Sequence, residues 1–180
     1  MLTLELQRDE ALPDAQVKAC PDAAFFELWC QRTVDYLRQT SELLVADRLE
    51  ISLLLTTPDA IRLLNRDYRT KDSATNVLSF PSGLPVLDVL DEDSSRRGSS
   101  LQALGDLVFC AEVVQTEAQA QDKALLDHWA HLTVHGVLHL AGLDHENDKE
   151  AAAMAVSYTH LRAHETKANL VCRLLLEKKK

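Results

Sequence analysis

The sequence predicts an α+β domain, with one small mixed β-sheet packed with helices. Three observations carry that expectation. Short β-rich runs and helical runs are interleaved without the strict βαβ alternation of a doubly wound fold. A length of 180 residues suits a single domain. A composition of 46% apolar and 26% charged residues, with five Gly and five Pro, is that of a globular chain. Collagen-like, low-complexity and wholly disordered chains are excluded.

Along the chain, Leu2, Leu4 and Leu6 alternate with polar residues, as in a half-buried strand. Residues 22–39 predict a helix, with Pro21 at its start and Phe25, Leu28, Trp29, Tyr36 and Leu37 at helical spacing. LEISLLLT (49–56) is β-rich and short enough for a buried strand. Thr57 then offers a cap and Pro58 a first position for a helix through about Arg69. NVLSFP (76–81) predicts a strand stopped by Pro81. Residues 82–103, with a Pro/Gly turn and the run DEDSSRRGSS, predict a surface loop insertion. LGDLVFC (104–110) predicts the next strand, followed by helices over about 111–121 and 124–141, the second ending near Gly142.

Charge narrows the function. The net charge is −9, and residues 1–156 carry 13 basic against 26 acidic groups. Non-specific nucleic-acid binding needs many Lys and Arg contacts to phosphate, so any such activity must use a local basic patch or a metal ion. No apolar run approaches the roughly 18 residues of a membrane span, and MLTLELQRDE lacks the regions of a signal peptide. The expected location is the cytoplasm, with no membrane partner. Cys20, Cys30, Cys110 and Cys172 are scattered without a CxxC pair, which predicts buried or incidental thiols.

Four of the seven histidines fall in HLTVHGVLHLAGLDH. His135 and His139 are four apart in a helical segment, so their rings project from one face on successive turns. Gly142 lets the chain reverse and His145 can return to the same point. The pattern H-x-x-x-H-x-x-G-x-x-H offers three nitrogen donors to one metal and leaves a fourth position open, as in catalytic zinc sites. His131, one turn earlier, is a candidate to support the ligands from beside them or to serve as an alternative ligand; His128, His160 and His164 are expected at the surface. The spacing is shared with metzincin peptidases, HExxHxxGxxH, but their general-base glutamate is replaced here by Gly136. Peptidase chemistry by the usual route is thereby disfavoured.

Upstream, Arg62, Arg66, Arg69 and Lys71 put four of those thirteen basic residues within ten positions. A guanidinium fork can hold a phosphate and stabilise charge building on it. Arg62 and Arg66 are read first as a helix face paired with Asp67 and Asp72. Arg69 is read as functional, and Arg66 and Lys71 as possible substrate contacts.

The blocks LNRDYRTKDSATNVLSFP and HLTVHGVLHLAGLDH, joined by LGDLVFC, closely resemble the bacterial YbeY family of metal-dependent endoribonucleases. The resemblance runs from about residue 48 to Met154, and more weakly through the N-terminal strand and helix. It implies a zincin-like metal-hydrolase domain over residues 1–156 that cuts single-stranded RNA. It implies a part in maturing the 3′ end of small-subunit ribosomal RNA and in ribosome quality control. By motif position His135, His139 and His145 match the family's zinc ligands, and Arg69 its functionally important arginine. Small-subunit ribosomal proteins and an assembly GTPase are the implied partners. The nucleophile, an activated water or a substrate 2′-OH, stays open. The rivals are an assembly factor with a structural zinc and an atypical metallopeptidase. Beyond Met154 the resemblance stops, and residues 157–180 read as translated sequencing-adaptor read-through. The alternative for that tail is a native amphipathic helix on Leu161, Ala168, Val171 and Leu175.

Overall fold

The computed structural model describes residues 1–41, 44, 46–84, 87–88 and 100–143. All of these but Leu143 belong to one compact unit, Met1–Gly142. The elements run β1 (Leu2–Arg8), α1 (Asp14–Ala19), α2 (Ala23–Thr40), β2 (Arg48–Thr56), α3 (Pro58–Arg69) and β3 (Val77–Pro81). They continue with β4 (Leu87–Asp88), β5 (Ser100–Cys110), α4 (Ala111–Ala120) and α5 (Leu125–Leu140). The strands form one sheet in the order β1-β2-β5-β3, with β4 also paired to β5. β1, β2 and β5 are parallel, whereas β3 and β4 run antiparallel to β5. The fold is the α+β class with one mixed sheet that the sequence predicts.

The strands alternate as their sequences dictate. Leu49, Ile51, Leu53 and Leu55 of β2 are fully buried on one face, level with Leu107 and Phe109 of β5. α2 and α5 cover that face, and Phe26, Phe109 and Trp129 meet there with ring centroids 5.5–6.0 Å apart. Burying each such ring contributes about 1.5–3 kcal/mol. Asp22 caps α2 by accepting from the Phe25 backbone N–H at 3.0 Å. The buried stripe of α2 is Phe26, Trp29, Cys30, Thr33, Val34 and Leu37, with Leu28 39% exposed. The inward face is therefore rotated from the one expected through Phe25 and Leu28.

The other face of the sheet carries α3. Thr57 caps it through Ala60, Pro58 opens it, and Ile61 packs on Leu78, Val108 and Cys110. Leu78 and Val108 face α3 while their neighbours Ser79 and Leu107 face α5, so these two helices sit on opposite sides.

Two differences from the sequence reading stand out. α1 carries no sequence signal: it is six residues long and has no buried side chain, so it leaves no periodic pattern. The segment 82–103 is not wholly a loop, since Leu87–Asp88 and Ser100–Ala103 lie in strands; residues 85–86 and 89–99 fall outside the described residues. The serine and glutamine there mask the start of β5. Cys20, Cys30 and Cys110 are free thiols, as expected; burial pushes Cys30 up to about 12 and raises the other two. Cys172, His145, His160, His164 and the whole tail lie outside the described residues.

β5 bends where Glu50 and Ile51 face Ala103 and Gly105, leaving Leu104 as an extra residue. Gly105 sits at φ +133°, and a Cβ there would fall 2.1 Å from the Phe80 carbonyl oxygen. We expect Gly105→Ala to lower unfolding free energy by more than about 2 kcal/mol, because neither the backbone angle nor the backbone contact can relax cheaply. Urea melts at matched pH measure this directly, and an unchanged midpoint would contradict the bulge as described.

Candidate metal centre

The helix that carries the histidines is buried on most sides. Ten residues of α5, from His128 to Leu140, are buried, Trp129 among them. Such a helix is held by tertiary packing rather than by intrinsic propensity. It packs closely on the sheet at Gly136, where an added Cβ would lie 2.7 Å from a Leu107 methyl and 3.5 Å from Ser79 Oγ. A side chain at this position would have to displace Leu107, so glycine suits the contact. A glutamate there would enter the interface with the sheet, which gives the missing peptidase base a structural cause.

On the helix, His128, His131, His135 and His139 form a ladder. Successive ring centroids are 6.4, 6.3 and 4.5 Å apart; the first two pairs lie near parallel and the last edge-on. The Nε2 atoms of His135 and His139 converge to 3.2 Å. Two imidazole nitrogens on a tetrahedral zinc, each roughly 2.0–2.1 Å from it, stand about 3.4 Å apart. The pair therefore fits two adjacent corners of such a site with only slight adjustment. The helix ends at Leu140, and Gly142 at φ +86° donates its N–H to the His139 carbonyl at 3.0 Å. This left-handed residue reverses the chain at the predicted place. His145, the expected third donor, lies beyond the described residues.

His131 is half-buried and stacks on His135. Burial, with Lys123 and His128 nearby, holds its imidazole below the ordinary range and favours the neutral ring. His128 corrects the surface expectation, being only 4% exposed. Its Nε2 is 3.0 Å from Glu117 Oε2 of α4, which also accepts from Asn76 Nδ2 at 2.9 Å. Asn76 in turn accepts from Val77 N and Cys110 N. One carboxylate thereby joins the start of β3, α4 and α5. Nothing in the local sequence announces this, because the three residues are 11 and 41 positions apart along the chain.

The basic block is ordered on the other side of the sheet. Arg62 grips Asp72 with two bonds of 2.7 and 2.9 Å, and Arg66 meets Asp67 at 2.9 Å, so both pairings expected from the sequence form. The Arg62 bonds hold Asp72 below the usual carboxylate range. Thr70 takes the left-handed conformation at φ 58°. Buried Asn65 donates to the Ser73 carbonyl at 2.7 Å and accepts from Lys71 N at 3.2 Å. The turn 70–76 is thus tied back to α3 at three points. Among the described residues, no carboxylate lies within ion-pair distance of Arg69 or Lys71. Arg69 ends α3 on one face of the sheet and the histidines project from α5 on the other; the turn and edge strand β3 connect them.

The family model described as Endoribonuclease YbeY matches residues 14–164. A relative from Pseudomonas entomophila (strain L48), named Endoribonuclease YbeY, is 46% identical over 154 residues, 86% of this chain and 83% of its own. One of the same name from Stenotrophomonas maltophilia (strain R551-3) is 59% identical over 91 residues, about half of each chain. The fold is shared with the solution structure of TM1509 from Thermotoga maritima, at TM-score 0.51 and 20% identity over 93% of both chains. The family match takes in the arginine block and the histidine helix in one uninterrupted span, and on it the chain belongs to the endoribonuclease YbeY family.

Proposed function

We propose that this chain is a zinc-dependent endoribonuclease that cuts single-stranded RNA during 3′-end maturation of small-subunit ribosomal RNA and in ribosome quality control. Family membership supports endoribonucleolytic hydrolysis, and the 3.2 Å convergence of His135 and His139 is the observation that carries the metal. His145 would complete a set of three imidazoles, whose chemistry suits zinc. When bound, the metal supplies a Lewis acid for a phosphate oxygen and acidifies a water.

The chain's own residues divide the remaining work. Arg69, at the end of α3 and outside any ion pair among the described residues, holds the scissile phosphate and offsets charge as it develops. Lys71 adds a second cation at the same turn, while Arg66 shares its charge with Asp67. His131 stacks beside His135 and keeps its ring oriented. An acidic body with one local basic turn suits a strand it can grip at a point rather than a duplex it must track. The cytoplasm and the partnership with small-subunit ribosomal proteins and an assembly GTPase belong to this reading through the family resemblance. No helix among the described residues is long and apolar enough to cross a membrane. Residues 1–156 form the catalytic domain in this reading, and 157–180 stand outside it.

Two experiments test the site. His135→Ala and His139→Ala should each weaken zinc binding by more than about 100-fold, since loss of even an outer-sphere partner costs 10- to 100-fold. Titration against a competing chelator reads this out, and undiminished zinc affinity in both variants would remove the assignment.

Arg69→Ala should keep zinc content and melting temperature but slow RNA cleavage by about 100- to 1,000-fold. Arg69→Lys should recover only part, because the charge returns without the fork. Arg48→Ala, an exposed cation at the start of β2, is the control for net charge. Arg62 does not serve as that control, because its loss also frees Asp72 and the turn. Equal losses in Arg69→Ala and Arg48→Ala would reduce Arg69 to bulk electrostatics.

A further inference from the structure

The tyrosine of LNRDYRTKD has no part in the chemistry above. Tyr68 lies in the last turn of α3 and is 69% exposed, an unusual placement for a large aromatic side chain. Its ring meets Phe80 of β3 edge-on, with centroids 5.1 Å apart and planes at 71°. The reason for a gap beside this pair is in the strand register. Leu54, Val108 and Leu78 form one row across the sheet, and Ser52, Asp106 and Phe80 form the next on the same face. α3 packs on the first row. Beyond it opens a groove of about 640 Å³, walled by Leu64, Tyr68 and Phe80 and floored by Ser52 and Asp106. That volume lies within the roughly 300–1,000 Å³ usual for small-ligand sites.

The groove's chemistry is uneven, and the unevenness selects an occupant. Its wall is aromatic and apolar, matching a flat ring. Its floor holds a carboxylate, which accepts hydrogen bonds and repels phosphate. Along the chain, Tyr68 is followed by Arg69 and Lys71, which attract phosphate and are in no ion pair among the described residues. A nucleotide satisfies all three if its base enters and its phosphate stays with those cations. Bases splayed from a single strand stack on such aromatic side chains.

We infer that the Tyr68–Phe80 groove is a nucleobase subsite, taking the base of a nucleotide next to the phosphate that Arg69 holds. Asp106 favours guanine, whose Watson–Crick edge presents two neighbouring N–H donors to a carboxylate. The inference rests on the endoribonuclease reading and adds a recognition site to it.

Equilibrium binding of a single-stranded hexanucleotide to the full chain tests it, using an adenine strand with one guanine. Tyr68→Ala should weaken binding by about 10-fold. It should leave the slope of log affinity against log salt unchanged, because the ring carries no charge. Lys71→Ala should instead flatten that slope. Tyr68→Phe should retain most of the affinity, and Leu63→Ala, a half-exposed leucine on the same helix, should bind as the parent does. A strand carrying 2-aminopurine should be quenched on binding the parent and not Tyr68→Ala, and Asp106→Asn should erase the preference for guanine over adenine. Parental affinity in Tyr68→Ala, or an equal loss in Leu63→Ala, overturns the subsite while RNA cleavage by the parent still stands. A parent that neither binds nor cuts the strand overturns the subsite and the endoribonuclease reading together.

Discussion

The close seating of α5 against the sheet sets the terms for the rest of the molecule. At Gly136 the helix comes near enough that an added Cβ would stand 2.7 Å from Leu107. A larger residue there would have to displace the Leu107 side chain, so glycine lets the helix sit close to the sheet. Trp129 is locked between Phe26 and Phe109 below it. With one face pinned, His135 and His139 can project only from the sides left over, and their nitrogens converge. The same glycine that closes the interface removes the glutamate a peptidase with this spacing would use.

Around that seat, polar side chains fasten what apolar burial alone would leave to slide. Glu117 ties α4 to His128 of α5 and to Asn76 before β3, and Asn65 with the Arg62–Asp72 pair ties the 70–76 turn to α3. The exposed Arg62–Asp72 bonds contribute little to stability. Their effect is to order the segment that carries Arg69 and Lys71. A cation held on an ordered turn loses less freedom when it takes a phosphate than one on a loose loop.

Much of this was legible in the sequence where a residue's role is set by its near neighbours. The alternation of Leu2, Leu4 and Leu6, the Thr57–Pro58 start of α3, the pairing of Arg62 and Arg66 with nearby carboxylates, and the break at Gly142 all follow from local rules, and all are found. What escaped depends on partners distant along the chain. His128 looked exposed because its carboxylate belongs to another helix. The beginning of β5 looked like loop because Ser100 and Gln102 are polar, although β2 pairs with that stretch from Leu101. α1 is too short to show a period. The sequence shows only that Gly136 lacks a base; its seat against Leu107 depends on a strand 29 positions earlier in the chain.

The central claim is that imidazoles of this helix hold a catalytic metal, and X-ray absorption at the zinc edge of the zinc-loaded chain tests it most directly. The account predicts one tightly bound zinc whose first shell holds three imidazole nitrogens at roughly 2.0–2.1 Å, completed by a lighter oxygen donor. A first shell dominated by sulfur at about 2.3 Å, or one without imidazole scattering, would contradict it.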